Sequence, residues 1–561
     1  MKGKKIVSTL LALLLLASLP VSALAAEWDI SNGDITVNAG SGGQTVTQGG
    51  GAAVEDSAPV ITGSSQDNTL TINAEKDQTA SVTLSGANID VSGAGKAAVS
   101  TTGEGNVSIE LNGENTLKSG EDHAGLEKNN GGSLTIADED KNGKLTAEGG
   151  DWGAGIGGGY EGNGNNIAIS GGEIKATGGV GGAGIGGGDG GNSGGDGGNG
   201  NNITISGGEV TATGGEQGAG IGGGYEGNGN NIAISGGKIK ATGGHGGAGI
   251  GGGDAGESYG GNGSDITISG GEVTAIGGEF GAGIGGGAAG IGNNIAISGG
   301  EVKAIGGIAG AGIGGGNGGN GSDIIISSGV VKAIGGVSGA GIGGGCAGIG
   351  NNIAISGVAK LKVQGGVEGE YHGAGAGIGD GGSNADGSYF GGSPVPGAEV
   401  EPDISGLTTG RIEYYAPGAD MEKDKPTSTT FGTSSQPEKP IEPAVPEQPE
   451  AERGADAPLY RVTDRDGRDI ACTAEQKGGV LTVTVDEDFA VLTGSLSDMA
   501  ALRAQGVEKF VFVTKGVTSA FLLSDLLSKG GEAYWLTHDG KAVTFTLGES
   551  MADVSAILTR P

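Results

Sequence analysis

The heptapeptide Gly-Ala-Gly-Ile-Gly-Gly-Gly at residues 153–159 decides the fold, because it returns in phase along the chain. Further copies begin at Gly182, Gly218, Gly247, Gly281, Gly310 and Gly339, and a variant, GAGIGDG, begins at Gly375. Successive copies start 29, 36, 29, 34, 29, 29 and 36 residues apart, so the base period is 29 residues and the longer intervals hold inserted loops. A fixed period in this range is typical of solenoid proteins.

Each 29-residue unit holds three short apolar segments, which in the first unit are residues 154–156, 167–169 and 174–176. Each segment alternates with period two, which predicts strands, and the Gly and Asn residues between them predict turns. Stacked about 4.8 Å apart, such strands would form a right-handed parallel β-helix, a mainly β fold with Ile156 and its equivalents in one inward column. A disordered Gly-rich tract is the alternative, but it does not explain why the apolar positions keep their phase through the insertions.

The composition excludes several classes of protein. Glycine supplies 133 of the 561 residues without a Gly-X-Y period, which excludes collagen. The formal net charge of −34 argues against nucleic acid and anionic membrane surfaces as partners. The two cysteines, Cys346 and Cys472, lie far apart in the sequence and neither has a zinc-type spacing.

Residues 1–26 have the pattern of a secretory signal peptide. A lysine-rich start is followed by an apolar run from Ile6 to Leu19 and a small-residue cleavage site at residues 23–25. A membrane anchor is the alternative, but the run is shorter than the roughly 20 residues that a spanning helix needs. We therefore expect an exported protein without membrane insertion, extracellular and either free or associated with the cell surface.

The remaining sequence predicts five regions. They are irregular N-terminal β-solenoid coils and a cap at 27–150, Gly-rich β-solenoid repeats at 151–392, a C-terminal cap segment at 393–416, a disordered Pro/Glu/Ser/Thr linker at 417–458 and a small α/β domain at 459–561. In that domain, patterning predicts strands at 460–463, 480–485, 510–514, 533–537 and 543–547, and helices at 497–504 and 519–528. His538 is expected at the surface, in the turn of the last hairpin.

Calcium is the first ligand that the sequence suggests. The segment GGNGSD occurs at residues 260–265 and 318–323 and matches the start of a calcium-binding nonapeptide repeat. The apolar residues that follow are out of phase with that repeat, so a corner turn is the competing interpretation. The candidate calcium ligands are Asp189 and Asp196 in an inserted loop, and Asp265 and Asp323 in the corners. No other cofactor is expected.

Aromatic residues beside the glycine corners suggest carbohydrate binding. Tyr160 and Tyr225 both follow a GGG corner, two coils apart, and would lie about 10 Å from each other on one edge. Trp152, Tyr259 and Phe280 fall in neighbouring loops. Exposed aromatic rings can stack on sugar rings while nearby Asn, Asp and Glu accept hydroxyl hydrogen bonds. Isolated surface aromatics are also common in proteins, which is the competing interpretation.

A catalytic site is not evident in the sequence. Four outward carboxylates occupy the same position in different repeat units, whereas a catalytic site should exist once. They are Glu173, Glu209, Glu272 and Glu301. The four histidines are isolated, with no Ser or Cys at motif spacing. The sequence therefore predicts a non-enzymatic protein, with a polysaccharide lyase or glycoside hydrolase of β-helix fold as the alternative.

Two resemblances extend this interpretation. The units "GAGIGGG…NNITISGGEVTATGG" resemble the Gly-rich repeats of large exported surface proteins of Gram-positive anaerobic bacteria. The segment "VTLSGANIDVSGAGKAAVSTTGEGNVSIELNGENTLKSG" at residues 82–120 is similar to a carbohydrate-binding parallel β-helix family that recognises polygalacturonate. This resemblance implies an acidic plant or cell-wall glycan as partner. The family's calcium-binding acidic positions have no residue-by-residue match here.

Together these observations predict a secreted, non-catalytic carbohydrate-binding or adhesin-like surface protein whose solenoid presents repeated polar and aromatic edges to a polysaccharide. A further alternative is a structural stalk that displays the C-terminal domain. Residues 459–561 resemble a module that accompanies such repeats, and that resemblance implies no activity. A protein partner for this domain is a separate expectation.

Overall fold

The structure is a computed structural model that describes residues 26–191, 198–256, 260–385, 393–432, 460–464, 470–527, 533–539, 542–547, 552–553 and 558–559. The predicted signal peptide, except Ala26, and most of the predicted linker lie outside these residues. The chain divides into two compact units, Met1–Pro437 and Glu438–Pro561.

The first unit is a parallel β-helix of about 15 turns, which confirms the predicted fold class. Each turn contributes one strand to each of three sheets, and equivalent strands on successive turns pair in parallel. The interior is a single core of stacked Ile, Val, Leu and Ala side chains that runs the length of the unit.

The first sheet, which we call the Ile-Gly sheet, passes through the glycine corners. Ile156 pairs with Ile185, and the same register continues to Ile378, so the predicted inward isoleucine column is confirmed. Its strands are Ile35–Gly40, Gly43–Gln48, Val54–Glu55, Leu70–Ala74, Val99–Gly103, Leu126–Lys128, Ile156–Gly157, Ile185–Gly186, Ile221–Gly222, Ile250–Gly251, Ile284–Gly285, Ile313–Gly314, Ile342–Gly343 and Ile378–Gly379.

The second sheet, the Ile-x-Ile sheet, buries two side chains per strand and turns the residue between them outward. Its strands are Glu27–Asp29, Val60–Thr62, Thr79–Ser85, Asn106–Asn112, Leu134–Ala137, Ile167–Ile169, Ile203–Ile205, Gly229–Asn230, Ile232–Ile234, Gly263–Ile268, Gly292–Ile297, Gly321–Ile326 and Gly350–Ile355.

The third sheet, the Glu/Lys sheet, carries the charged outward columns. Lys144 and Lys238 form exposed ion pairs with Glu173 and Glu209 of adjacent turns, at 3.0 and 3.2 Å. Its strands are Ser64–Ser65, Asn88–Asp90, Glu114–Lys118, Lys144–Glu148, Glu173–Thr177, Glu209–Thr213, Lys238–Thr242, Glu272–Ile276, Glu301–Ile305, Val330–Ile334, Lys360–Gln364, Arg411–Tyr415 and Ser428–Phe431.

Close backbone approach between turns explains the glycine content. A Cβ added to Gly278 would lie 1.4 Å from the carbonyl oxygen of Gly244 on the preceding turn. Gly278 also donates its amide to the carbonyl of Gly247 at 2.9 Å, so the two turns are held together at this point. Glycine is therefore required because any side chain would force the turns apart.

One corner position forms a ladder of left-handed Asn and Asp residues, which we call the Asn ladder. Its members all have φ between 49° and 60°, and they are Asn166, Asn202, Asn231, Asp265, Asn294, Asp323 and Asn352. The Asn202 amide donates to Asn166 Oδ1 at 3.0 Å, and the Asn231 amide donates to Asn202 Oδ1 at 2.5 Å. The ladder therefore combines a backbone conformation that Asn tolerates with hydrogen bonds along the axis.

Asn231→Ala is expected to lower the free energy of unfolding by about 1–2 kcal/mol. Alanine is strained in the left-handed backbone conformation, and it lacks the side-chain hydrogen bond. Asn231→Gly loses the same hydrogen bond, but glycine adopts the left-handed conformation without strain. Its loss of unfolding free energy should therefore be smaller than that of Asn231→Ala. Urea unfolding of the full chain measures both variants. Equal losses for alanine and glycine would contradict the backbone part of this explanation.

The C-terminal cap is longer than the sequence predicts. Strand Arg411–Tyr415 pairs in parallel with Lys360–Gln364, and it pairs antiparallel with Ser428–Phe431. Glu422 lies in the segment that connects the two antiparallel strands, and it forms ion pairs with Lys332 and Lys362 at 2.9 and 3.2 Å. The prediction that a disordered linker begins at residue 417 is wrong, since the chain continues to pair with the solenoid up to Phe431.

The second unit has two five-stranded sheets and a core of its own. One sheet contains Arg461–Thr463, Phe489–Ser495, Ala533–Asp539, Ala542–Leu547 and Ala552–Asp553. The other contains Cys472–Lys477, Val480–Val485, Lys509–Val513, Thr518–Leu522 and Leu558–Thr559. The described helices are Leu496–Ala504 and Leu523–Leu527.

Two predictions for this unit are wrong. The helix predicted at 519–528 is instead strand Thr518–Leu522 followed by helix Leu523–Leu527, because Lys509–Val513 pairs with the strand along its full length. His538 lies within strand Ala533–Asp539, opposite Val543, and its side chain is fully buried.

Candidate functional site

The residue that follows each GGG corner forms one column along an edge of the solenoid. On four successive turns this column holds Tyr160, Asp189, Tyr225 and Asp254. The turns are joined there by backbone hydrogen bonds from Glu161 N to Asp189 O at 2.6 Å, from Gly190 N to Tyr225 O at 2.9 Å and from Glu226 N to Asp254 O at 2.6 Å. Tyrosine and aspartate therefore alternate along the axis.

In a second column beside it, residues with large side chains alternate with glycine. It holds Trp152, Gly181, Gln217 and Gly246 on the same turns. A Cβ added to Gly181 would lie 2.0 Å from Asp189 Oδ2, and one added to Gly246 would lie 2.1 Å from the Asp254 carboxyl carbon. The glycines leave the space that the two carboxylates occupy.

These columns enclose a surface cavity of about 360 Å³, which we call the aromatic cleft. The residues that line it are Trp152, Tyr160, Asp189, Gly191, Gln217 and Tyr225. The Trp152 and Tyr160 rings meet edge to face, with centroids 6.5 Å apart and planes at 60°. Tyr160 is 45% exposed, so an aromatic surface is open to a ligand.

Asp189 lies at the floor of the aromatic cleft and is only 4% exposed. Its Oδ1 accepts the amide hydrogen of Gly191 at 2.7 Å. Burial raises the pKa of the Asp189 carboxyl, the Gly191 hydrogen bond lowers it, and the charge of Glu161 raises it, with a net rise. The carboxyl group is thus fixed in position as a polar group between the aromatic side chains of the cleft.

Tyr225 closes the other end of the aromatic cleft. Burial raises the pKa of its hydroxyl, and the charges of Glu226, Asp254 and Asp189 raise it further. The hydroxyl therefore stays protonated near neutral pH and can donate a hydrogen bond to a ligand.

The arrangement around Tyr160 occurs a second time around Tyr225. The equivalent residues, each 65 positions apart, are Trp152 and Gln217, Tyr160 and Tyr225, Glu161 and Glu226, Asp189 and Asp254, and Gly191 and Gly256. Asp254 Oδ1 accepts the amide hydrogen of Gly256 at 3.0 Å, as Asp189 does from Gly191. The edge therefore carries two copies of one unit, with tryptophan in the first and glutamine in the second.

The structure brings together three of the five predicted aromatic residues. Trp152, Tyr160 and Tyr225 line the aromatic cleft, whereas Phe280 packs against His245 with ring centroids 4.8 Å apart. Tyr259 lies outside the described residues. The sequence interpretation missed Gln217 and Gly191, although the 65-residue spacing could have identified Gln217 as the equivalent of Trp152.

The three predicted calcium ligands that the structure describes, Asp189, Asp265 and Asp323, do not form one group. Asp189 lines the aromatic cleft, Asp196 lies outside the described residues, and Asp265 and Asp323 belong to the Asn ladder, where they accept hydrogen bonds from Asn294 and Asn352. Within the described part of the chain, no three acidic, His or Cys side chains are grouped as a metal site.

A carboxylate–imidazole pair lies one turn before the aromatic cleft. His123 Nδ1 is 2.7 Å from Glu127 Oε2, and Glu127 also accepts hydrogen bonds from Ala124 N at 3.2 Å and Asn129 Nδ2 at 2.6 Å. The carbonyl of the adjacent Asp122 accepts the amide hydrogen of Tyr160 at 2.7 Å. The pair therefore borders the edge that carries the cleft.

Comparison with known families supports the architecture. A family model described as Beta helix repeat matches residues 141–160, 167–189, 203–225, 232–254, 266–294, 295–317 and 324–346. The matches support a parallel β-helix family. They do not confirm the resemblance to Gly-rich surface proteins or to polygalacturonate binders. The comparisons with curated proteins and with solved structures give no significant match.

Among the described residues, no helix has the length and apolar character needed to cross a bilayer.

Proposed function

We propose that this protein is a secreted, non-catalytic polysaccharide-binding protein and that the aromatic cleft is its binding site. The observation that carries the proposal is the convergence of Trp152, Tyr160 and Tyr225 on the buried carboxyl group of Asp189. Sugar rings present C–H faces that stack on aromatic rings, and hydroxyl groups that hydrogen-bond to carboxylates and amides.

The size and chemistry of the cleft support a sugar ligand. Its volume of about 360 Å³ lies at the lower end of the range of about 300–1,000 Å³ that is usual for ligand pockets. Gln217 adds an amide that can both donate and accept hydrogen bonds. The cleft lies along turns that are joined by backbone hydrogen bonds, which favours a preformed site.

Trp152→Ala and Tyr160→Ala are each expected to weaken glycan binding by about tenfold or more, because each removes a central aromatic anchor. The measurement is binding of the full chain to a glycan array, followed by affinity electrophoresis on the polymers selected. Tyr371→Ala is the matched control, since Tyr371 is not among the cleft-lining residues.

Unchanged glycan binding in Trp152→Ala and Tyr160→Ala would remove the aromatic cleft as the site. Failure of the wild-type chain to bind any glycan would remove the proposed function itself.

A catalytic function is the second candidate, and the His123–Glu127 pair favours it because it does not follow the repeat: in the next turn, glycine stands at the equivalent of both residues, Gly153 and Gly157. Glu127 would orient the imidazole, which could act as a general base towards a sugar bound in the neighbouring cleft. New reducing ends or unsaturated products from the bound polymer, lost in His123→Gln, would establish this activity. Binding without products would favour the non-catalytic function.

A further inference from the structure

The two copies of the Tyr–Asp unit give the aromatic cleft a repeat along the solenoid axis. Tyr160 and Tyr225 occupy equivalent places two turns apart, and stacked strands advance about 4.8 Å per turn. The tyrosines therefore recur about every 10 Å, with Asp189 on the turn between them.

The charges around the cleft select against acidic polymers. Asp189 lies within it, Glu161 is near enough to raise the pKa of the Asp189 carboxyl, and Glu226 and Asp254 act on Tyr225 in the same way. No Lys or Arg occurs among the described residues that line the cleft. A uronate polymer would place further negative charge against these carboxylates, which costs binding energy.

The repeat matches one geometry of polysaccharide chain. In an extended β-1,4-linked pyranose chain, successive rings turn opposite faces outward, so an equivalent face returns with every second sugar. One disaccharide of such a chain covers about the distance between Tyr160 and Tyr225. Equivalent ring faces would then meet Tyr160 and Tyr225, and the sugar between them would place its hydroxyl groups near Asp189.

We propose that the aromatic cleft binds a neutral, extended β-1,4-linked glycan laid along the solenoid axis, with one disaccharide for every two turns. This inference rests on the proposed carbohydrate-binding function and names its ligand class. It replaces the acidic polysaccharide that the sequence resemblance implies.

The test is isothermal titration calorimetry of the full chain with β-1,4-linked di- and tetrasaccharides of glucose, mannose and xylose. A tetrasaccharide can reach both tyrosines, so it should bind at least about tenfold more tightly than the disaccharide. Tyr225→Ala should abolish that gain, so that this variant binds the tetrasaccharide no more tightly than the disaccharide, whereas the control Tyr371→Ala should alter neither affinity.

The outcomes separate this inference from the proposed function. Binding of polygalacturonate or of the α-1,4-linked maltotetraose that depends on Trp152 and Tyr160, in place of β-1,4-linked chains, would overturn the ligand class but keep the function. Equal affinities for the β-1,4-linked di- and tetrasaccharides would overturn the two-turn register. Cleft-dependent binding to none of these glycans would overturn the ligand class, and the proposed function would fall with it if the glycan array also showed no binding that depends on the cleft.

Discussion

Gly278→Ala is expected to destabilise the solenoid by about 4 kcal/mol or more, which is at the upper end of the effects of single substitutions. The new methyl group would lie 1.4 Å from the carbonyl oxygen of Gly244, which belongs to the backbone of the preceding turn. No side-chain rotation can relieve a contact between a Cβ and a backbone oxygen. The turns must separate, and the hydrogen bond from Gly278 N to Gly247 O would be strained or lost.

Gly42→Ala is the matched control, because the space around a Cβ at Gly42 holds no atom within 4 Å. Its stability should change by less than about 0.5 kcal/mol. Urea unfolding of both variants, followed by circular dichroism, measures the difference. Hydrogen exchange should locate the opening of Gly278→Ala at the turns beside residue 278, since solenoid turns are stabilised by their nearest neighbours. Equal stability of the two variants would contradict the close stacking described above.

The C-terminal unit is expected to lose about 3 kcal/mol of stability between pH 6.5 and pH 4 through His538 alone. His538 is fully buried, and burial lowers its pKa from the ordinary 6.5 to about 4. The unfolded state therefore binds a proton in this range that the folded state does not bind. It follows that the contribution of His538 to the free energy of unfolding is present above pH 6.5 and is lost as the pH falls towards 4.

The environment of His538 explains why its neutral form is favoured. Thr514 Oγ1 lies 3.1 Å from Nδ1, Ser519 Oγ lies 2.8 Å from Nε2, and the Phe512 ring centroid is 4.7 Å from the imidazole. Hydroxyl groups satisfy both ring nitrogens, but none of these three neighbours carries a negative charge that would compensate a proton.

His538→Gln is the variant that isolates this effect, because glutamine can hydrogen-bond but does not titrate. The variant should be less stable than the wild type at pH 7 and should lose less stability on acidification. Urea unfolding of the full chain at pH 7 and pH 4.5, with hydrogen exchange of strands Lys509–Val513 and Ala533–Asp539 as the local measurement, makes the comparison. An identical pH dependence in both chains would show that His538 is not responsible.

The solenoid could be predicted from the sequence because its strands pair with their own repeats. The 29-residue period fixed the register, so the isoleucine column from Ile156 to Ile378 followed directly. The cap strand Ser428–Phe431 could not be found in this way, since it pairs antiparallel with a strand that has a different sequence.

The C-terminal unit shows the limit of local patterns. Residues 519–528 hold Phe521, Leu522, Leu523, Leu526 and Leu527, a spacing that suits a helix. Pairing with Lys509–Val513 makes the first part a strand, and that contact is not encoded locally. The prediction of His538 in a turn also rested on a local pattern, the Asp-Gly pair. In the structure, His538 and Asp539 still belong to the strand and pair with Val543 and Ala542.

The sequence predicts the aromatic cleft only in part. The motif spacing placed Tyr160 and Tyr225 on one edge, but Asp189 was interpreted as part of a cation-binding loop. Its role depends on Gly181, whose missing side chain admits the carboxylate to the cleft floor. That relation involves two adjacent columns, and it becomes visible only when the turns are stacked.

Hydroxyl-radical footprinting of the full chain, with and without the glycan selected on the array, tests the central claim most directly. If the aromatic cleft is the binding site, the glycan will protect Trp152, Tyr160 and Tyr225 from oxidation and leave Phe280 and Tyr371 as reactive as in the free protein. Saturating glycan that leaves all three cleft residues unprotected would contradict the account.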